Sequence, residues 1–198
     1  MSPMMEERCR RRSPTREMTV HGNLVDVFGI GVLILGESGT GKSECALDLV
    51  VRGHRLVADD VIHIRKEGRE ILVGEGDASL RHHMEIRGLG IINIADLYGV
   101  SAIRHRKRVE LVVKLEEWDT KKEYDRLGID NRSFTLLGLE IPMVTIPVTA
   151  GRNIAILIEV AARNHLLKLM GVHSARDFSK RLVRRITEGS TGGEEGTQ

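Results

Sequence analysis

Apolar and polar residues alternate along the stretch MTVHGNLVDVFGIGVLILG, and glycines interrupt the alternation at Gly29 and Gly31. A period of two is typical of a strand with one buried face, and glycines between two such runs favour a tight turn. The pattern therefore predicts a hairpin whose second strand, VLIL, runs directly into the glycine-rich stretch GESGTGKS.

Strand patterns continue over most of the chain after one helix. SECALDLVVRGH has apolar residues at helical spacing and predicts a helix that stops at Gly53. RLVADDVIHIRKEGREILVGEG predicts two strands joined at KEGRE, KRVELVVKLEEW predicts another, and FTLLGLEIPMVTIPV predicts one or two more. HHMEIRGLGIINIADLYG is apolar but interrupted by glycines, which favours loop and short strand over a long helix.

The strongest helical patterns come last. NIAILIEVAARNHLLKLMG keeps one continuous apolar face up to Gly171, and Ser174 is a candidate N-cap for ARDFSKRLVRRI. Ordinary P-loop proteins alternate strand and helix around a parallel sheet, whereas here a hairpin precedes the glycine-rich stretch. We therefore expect an α/β fold with a mixed, partly antiparallel sheet and C-terminal helices.

Composition sets the limits of the folded unit. The chain has 198 residues, of which 41% are hydrophobic, enough for one well-filled core. We expect a disordered basic leader over residues 1–17, one catalytic domain over residues 18–188 and a disordered Gly/Ser/Glu-rich tail over residues 189–198. The arginines of the leader also admit a nucleic-acid arm, but the run is short and has no interleaved aromatic residues.

Charge and cysteine content exclude several classes of protein. The formal net charge of +2 gives no electrostatic commitment to nucleic acid or to an acidic membrane. No apolar run is long enough to span a bilayer, and no apolar segment of a signal peptide follows the N-terminal charges. Two cysteines, Cys9 and Cys45, without a CxxC pair fit a reducing cytoplasm and argue against a structural metal. We treat Cys45 as a packing residue and His82, His83 and His105 as surface residues.

GESGTGKS carries the clearest chemistry in the chain because it satisfies the pattern GxxxxGK[ST] in full. Glycines that adopt positive φ let backbone N–H groups surround a phosphate, and the following helix points its N-terminus at the anion. Lys42 supplies a cation for the outer phosphates, and the Ser43 hydroxyl is placed to hold Mg²⁺. The predicted phosphate-binding residues are Gly36, Glu37, Ser38, Gly39, Thr40, Gly41, Lys42 and Ser43.

Acidic residues follow at the end of an apolar strand, in RLVADD. One carboxylate there can hold Mg²⁺ and a second can take a proton from an attacking hydroxyl. Adjacent residues of a strand point to opposite faces, so Asp59 and Asp60 serve one site only if the backbone bends. His21, in the first strand, is structural by default, but an imidazole there is able to hydrogen-bond an acid or a phosphate.

Charged residues also interrupt the apolar segment EIRGLGIINI. Glu85 is a candidate second Mg²⁺ ligand and Arg87 a candidate phosphate clamp, while pairing with each other or exposure to solvent is an equally good reading. Arg126, in YDRLG, and Arg152, before the long helix, are each able to reach a partner's phosphate.

Together these segments resemble the catalytic domain of HPr kinase/phosphorylase. The similar stretches are HGNLVDVFGIGVLILGESGTGKSE, RGHRLVADD, EIRGLGIINI, YDRLG and GRN, in the family's order from about residue 18 to residue 187. The resemblance implies a bacterial, cytoplasmic, bifunctional enzyme that forms hexamers and has a core like that of phosphoenolpyruvate carboxykinase. Such an enzyme phosphorylates a serine of HPr, the carrier protein of the sugar phosphotransferase system, with ATP or pyrophosphate and Mg²⁺. It also removes that phosphate with inorganic phosphate and releases pyrophosphate.

The resemblance also implies a role for each matched residue. Lys42 is catalytic within the phosphate-binding residues, and Ser43 and Glu85 ligate Mg²⁺. His21 and the pair Asp59 and Asp60 handle the proton, with Asp60 favoured as base in the forward reaction and acid in the reverse. The roles that complete the set are an active-site arginine at Arg126, a signature segment at residues 85–94 used in both reactions, and a segment at residues 147–152 important for dephosphorylation.

Two features depart from the family pattern. Family members commonly carry a separate N-terminal domain, whereas 17 residues precede the match here, so both a shortened and a naturally short chain stay open. The family usually has a sequence close to PVRPGRN where this chain has PVTAGRN, so Thr149 replaces a cation and Ala150 a proline. The lost charge bears on the phosphorylase direction, and the kinase motifs are intact.

Two alternative functions remain at this level. One is a small-molecule kinase built on the same core, and the other is a regulatory module that binds nucleotide without turnover. The complete set of predicted catalytic residues argues against the second, because a sensor has no need of it. NKxD and LSGGQ motifs are absent, which argues against a GTPase and an ABC-type ATPase.

Overall fold

The computed structural model describes residues 17–124 and 132–190. Eight strands form one mixed sheet and span Glu17–Val27 (β1), Ile30–Gly36 (β2), Arg55–Glu67 (β3), Ile71–Gly76 (β4), Arg106–Arg108 (β7), Leu111–Glu117 (β8), Arg132–Leu136 (β9) and Leu139–Val148 (β10). Their order across the sheet is β7, β4, β3, β1, β2, β8, β10, β9. β5 (His83–Ile86) and β6 (Gly90–Asn93) form a separate hairpin, and the helices are α1 (Lys42–Val51), α2 (Ile94–Tyr98), α3 (Ile154–Leu169) and α4 (Ser174–Ser190).

The hairpin predicted ahead of the glycine-rich stretch is present. β1 and β2 pair antiparallel, with Val27 opposite Ile30, and Phe28 and Gly29 make the turn at φ values of 52° and 84°. Gly31 was expected in the turn, but it lies in β2 opposite Asp26. Its small size serves a close approach, since a Cβ at Gly31 would lie 1.7 Å from the carbonyl oxygen of Arg108.

The sheet is mixed, as predicted. β2, β8 and β10 are parallel to one another, and the other pairs in the sheet are antiparallel. KRVELVVKLEEW was expected to form one strand but forms two, because Val109 and Glu110 interrupt the ladder. β7 pairs with β4, whereas β8 pairs with β2. Because β7 and β8 are consecutive in the chain, the part of the sheet from β4 to β2 must curve so that both pairings form.

Hydrophobic side chains fill both faces of the sheet. Successive residues of a strand point to opposite faces, which places Leu24 and Leu33 in one core and Val25 and Ile34 in the other. The second core is covered by α1 and α3. The apolar face predicted for α3 packs there through Ile158 and Ala162, both fully buried.

Smaller features complete the comparison with the sequence. HHMEIRGLGIINIADLYG forms the β5–β6 hairpin plus the short α2, and the helix was not expected. Cys45, on α1, packs in the hydrophobic core as predicted, and burial raises the pKa of its thiol to about 12. His83 and His105 are exposed as expected, but His82 is half-buried. Burial and then the nearby His105 lower the pKa of His82, whose ring centroid lies 5.6 Å from that of His105.

Candidate active site

A glycine-rich loop joins the end of β2 at Gly36 to the start of α1 at Lys42. Gly39 and Gly41 have φ values of 90° and 82°, a region that other residues rarely adopt. Gly36 meets a different constraint, because a Cβ there would lie 2.7 Å from the carbonyl oxygen of Leu115 in β8. The Thr40 hydroxyl donates to the carbonyl oxygen of Glu37 at 2.9 Å and closes the loop from within.

Lys42 lies across the base of this loop. Its Nζ donates to the carbonyl oxygens of Gly36 at 3.0 Å and Glu37 at 2.8 Å. These contacts hold the ammonium group at the loop, where a cation stabilises an outer phosphate. The structure therefore places the ammonium group of the predicted catalytic lysine at the glycine-rich loop.

Asp59 is held by three hydrogen bonds beside the N-terminal end of α1. Its Oδ1 accepts from the Ser43 hydroxyl at 2.9 Å and from the side-chain amide of Asn23, and its Oδ2 accepts from the backbone N–H of Glu85 at 3.3 Å. Burial raises the pKa of this carboxyl, and the hydrogen bond from Ser43 is the strongest of the effects that oppose the rise. Asp59 thus has a fixed orientation toward the first turn of α1.

The backbone bends at Asp60, as it must if the adjacent Asp59 and Asp60 are to serve one site. Its φ of 65° is left-handed, so the backbone of β3 bends between the two aspartates. Its Oδ1 lies 3.5 Å from Nδ1 of His21 on the neighbouring β1, and both side chains are exposed, at 72% and 77%. One acid is therefore held against α1 while the other stands exposed beside an imidazole.

The β5–β6 hairpin contributes the other charged residues. Glu85 is exposed, and its backbone N–H rather than its carboxylate contacts Asp59. The guanidinium nitrogens of Arg87 lie 3.5 and 3.8 Å from the position that a Cβ of Gly39 would take. Arg87 therefore lies over the glycine-rich loop, a position suited to a phosphate clamp.

The predicted arginines beyond this hairpin differ in what the structure describes. Arg126 lies outside the described residues. Arg152 follows β10, its backbone N–H donates to the carbonyl oxygen of Thr149 at 3.2 Å, and its Nη1 donates to that of Pro147 at 3.2 Å. The PVTAGRN segment therefore makes a local turn at the edge where β2 and β8 also end.

Asn23 is the site residue that the sequence analysis missed. It is 1% exposed and donates to Asp59, which is its cross-strand partner on β3. A signal was present, because a side chain two positions before a buried valine in an alternating strand points to the same face. An amide at such a position needs a hydrogen-bonding partner, and the neighbouring strand supplies one.

The oxygen ligands around Asp59 suit Mg²⁺ better than a transition metal. Among residues 17–124 and 132–190, no three or more His, Cys, Asp or Glu side chains converge on one point. Mg²⁺ usually keeps several waters and is held by one or two carboxylates together with substrate phosphates. The carboxylate of Asp59, bonded to the Ser43 hydroxyl at the mouth of the loop, fits that mode.

A cleft of about 260 Å³ opens on the other side of the loop, toward β8. Loop residues form one wall, and the end of β8 and the segment after it form the other. Its lining consists of Glu37, Thr40, Lys114, Leu115, Glu116, Glu117, Asp119, Lys122 and Tyr124.

A glycine-rich loop between strand and helix, with a lysine and an acidic pair beside it, is typical of phosphoryl-transfer domains. Comparison with known proteins specifies the class. The HPr Serine kinase C-terminal domain family matches residues 13–182, and the chain belongs to that family.

Relatives and a solved structure agree with this membership. The chain is 59% identical over 167 residues to the HPr kinase/phosphorylase of Geobacter sulfurreducens, covering 84% of this chain and 52% of the relative. It is 54% identical over 170 residues to that of Caldanaerobacter subterraneus, covering 86% and 56%. The chain thus spans about half the length of the curated relatives it matches.

The structural comparison gives the same family. The Hpr(Ser) kinase/phosphatase from Coxiella burnetii superposes with a TM-score of 0.72 at 36% identity, covering 81% of this chain and 98% of the other. The resemblance inferred from the motifs is therefore confirmed. In the ranges that the structure describes, no helix is both long and apolar enough to cross a membrane.

Proposed function

We propose that this domain is a Mg²⁺-dependent kinase that phosphorylates a serine of HPr with ATP or pyrophosphate, and a phosphorylase that removes the phosphate with inorganic phosphate. The observation that carries the proposal is that five predicted residues lie close together beside the glycine-rich loop: Lys42, Ser43, Asp59, Asp60 and His21. Membership of the HPr kinase family supplies the acceptor.

The geometry supports a division of labour between the aspartates. Asp59 is tied by three hydrogen bonds, which suits a residue that orients Ser43 and helps hold Mg²⁺, with Glu85 as the further predicted ligand. Asp60 is exposed, and its Oδ1 lies 3.5 Å from Nδ1 of His21. Asp60 is therefore the better base for an incoming serine hydroxyl. The family resemblance implied that one of the two aspartates has this role, and Asp60 was the one favoured.

The forward reaction follows from these positions. The loop and Lys42 hold the donor's outer phosphates, and bound Mg²⁺ neutralises charge that develops on them. Asp60 takes the proton of the serine hydroxyl as its oxygen attacks the terminal phosphorus, and ADP or phosphate leaves. His21 orients the carboxylate of Asp60, and Arg87 stabilises charge on the transferred group from its position over the loop. The family resemblance implies an active-site role for Arg126 as well.

The reverse reaction uses the same groups in the opposite order. An inorganic phosphate held by the loop attacks the phosphoserine phosphorus, and the bond to the serine oxygen breaks as Asp60 returns the proton. Pyrophosphate forms and the serine is regenerated. The loop then binds nucleotide, pyrophosphate or inorganic phosphate, according to direction. Thr149 stands where the family has a cation, and Ala150 where it has a proline. We therefore expect these two differences to lower the phosphorylase activity more than the kinase activity.

The family resemblance also has implications for architecture, location and assembly. It implies a core like that of phosphoenolpyruvate carboxykinase, with GESGTGKS as its P-loop, a cytoplasmic location and a homohexamer. Exposed apolar side chains on α4, with Phe178 at 54% and Leu182 at 48%, are consistent with assembly.

The experiment is phosphoryl transfer to purified HPr. The domain is mixed with HPr, Mg²⁺ and either ATP or pyrophosphate, and phosphoserine is detected by mass spectrometry. HPr with its acceptor serine replaced by alanine is the matched control. No phosphoserine with either donor rejects the proposal. Phosphorylation of small metabolites but not of HPr would indicate the small-molecule kinase. ATP binding without transfer to any acceptor would indicate the regulatory module.

A further inference from the structure

Asn23 places a buried amide among the apolar residues that α1 covers. Its side chain is 1% exposed, and it shares a face of the sheet with Val25 on its own strand and with Ile34 opposite it on β2. Both neighbours belong to the hydrophobic core. A valine or leucine at this position would extend the core without a polar group to satisfy. Because an unpartnered buried amide is strongly destabilising, Asn23 depends on its hydrogen bond to Asp59.

Asn23 decides which oxygen of Asp59 is available to a ligand. Oδ1 accepts from both the Asn23 amide and the Ser43 hydroxyl, which fills the two acceptor positions of one carboxylate oxygen. Within the described part of the chain, Oδ2 accepts from the backbone N–H of Glu85 alone, at 3.3 Å. Oδ2 therefore keeps a free acceptor position, and it is the oxygen left to meet a cation.

The central sheet holds Asn23 against Asp59. The two residues are directly opposite in the antiparallel pairing of β1 with β3, so their Cβ atoms are about 4.5–5.5 Å apart. β1 also approaches β2 closely here, since a Cβ at Gly22 would lie 2.5 Å from the carbonyl oxygen of Ile34. The other two donors to Asp59 lie on α1 and on the separate β5–β6 hairpin. Asn23 is thus the donor that ties this carboxylate to the sheet.

We propose that Asn23 is a positioning residue of the Mg²⁺ site, whose amide holds Asp59 so that Oδ2 faces the cation. The proposal rests on the proposed function, since it takes from it that the site uses Mg²⁺. Carboxylates that bind a metal are themselves hydrogen-bonded, and loss of such a partner typically weakens metal binding about 10- to 100-fold. Asn23 contacts neither the glycine-rich loop nor the acceptor protein, so its loss should act on nucleotide binding only through the metal.

Calorimetric titration of ADP measures the metal site without catalysis. The dissociation constant of ADP is determined with a fixed excess of Mg²⁺ and again in EDTA, and the ratio of the two constants is the strengthening that Mg²⁺ provides. Asn23→Leu keeps the approximate shape of the side chain and removes the donor. Asn23→Val also removes it, with a residue that suits a strand.

Asp26→Asn is the matched control. Asp26 is another buried polar residue of β1, and it pairs with Arg104 rather than with a residue of the candidate site. Its replacement disturbs the same strand and leaves the donor to Asp59 in place. Thermal melting shows which variants are folded, and either Asn23 variant alone is sufficient for the comparison.

We expect the strengthening of ADP binding by Mg²⁺ to fall about tenfold or more in the Asn23 variants. The dissociation constant of ADP in EDTA should not change, and the control should keep the full Mg²⁺ effect even where its melting temperature falls. A Mg²⁺ effect that is absent from the original protein, or unaltered in the Asn23 variants, would overturn the proposal. Equal weakening of ADP binding with and without Mg²⁺ would also overturn it, because that result indicates a structural role.

Transfer to HPr separates this proposal from the proposed function. In the Asn23 variants the Mg²⁺ concentration for half-maximal transfer should rise about tenfold or more, while the rate at saturating Mg²⁺ falls far less. A reduced Mg²⁺ effect on ADP, with no transfer in any of the proteins, rejects the proposed function and supports the role of Asn23. Transfer with an unchanged Mg²⁺ requirement in the Asn23 variants rejects that role and leaves the proposed function standing.

Discussion

Replacement of Asp60 by asparagine tests whether this residue serves chemistry rather than folding. The structural cost is small for two reasons. Asparagine tolerates the left-handed φ of 65° that Asp60 adopts, so no backbone strain is added. The Asp60 and His21 side chains are 72% and 77% exposed, and exposed ion pairs contribute about 0 to 1 kcal/mol. We expect the free energy of unfolding to change by less than about 1 kcal/mol.

The catalytic cost should be far larger. Loss of a general base lowers a rate by about 100- to 10,000-fold, which corresponds to about 3 to 5 kcal/mol of activation free energy. We therefore expect the rate of phosphoryl transfer to HPr to fall by about two to four orders of magnitude. ATP binding should be largely kept. The assays are urea denaturation, calorimetric ATP binding and phosphoserine formation.

Asp77→Asn is a matched control for this substitution. Asp77 also pairs with a histidine, His63, at 3.2 Å, and it lies outside the candidate site. Its replacement should leave transfer unchanged. Full activity in Asp60→Asn would show that Asp60 is not the base. Collapse of ATP binding would instead make it a metal-holding or structural residue.

Three further predictions concern other parts of the molecule. Lys42→Ala should lower transfer and phosphorolysis by more than about 100-fold, because the outer phosphate loses its cation, and retained activity in either assay would contradict this. Arg126→Ala should reduce the transfer rate far more than ATP affinity, and unchanged transfer would show that the family role does not apply. The bidentate hydrogen bond from Arg52 lowers the pKa of Glu159 from 4.5 to about 2, with His54 contributing, so the native state gains stability above pH 4.5 that is lost as pH falls toward 2. Denaturant unfolding over that range should show a shallower loss in Glu159→Gln, and parallel curves would refute the linkage.

Features that depend on local sequence were predictable from it. The β1–β2 hairpin, α1 and α3 follow from hydrophobic periodicity and from glycine at the ends of elements, which are local signals. The glycine-rich loop was equally accessible because its backbone conformation requires the glycines that the pattern names.

Features set by tertiary contact were not accessible in the same way. The break between β7 and β8 arises because the backbone N–H of Val109 donates to β4 and that of Glu110 donates to β2. These two strands are not neighbours in the sheet. Sequence periodicity shows a single apolar strand there. Likewise the bend at Asp60 was recognised as a requirement, but only the three-dimensional structure supplies its φ, and the burial of Asn23 depends on its partner on β3.

The most direct test of the account is transfer measured in both directions with the same HPr preparation. We predict that Mg²⁺ with ATP or pyrophosphate places phosphate on the serine, and that inorganic phosphate then removes it with release of one pyrophosphate for each serine regenerated. Phosphoserine loss that yields inorganic phosphate alone would contradict the phosphorylase assignment. No phosphoserine with either donor would contradict the central claim.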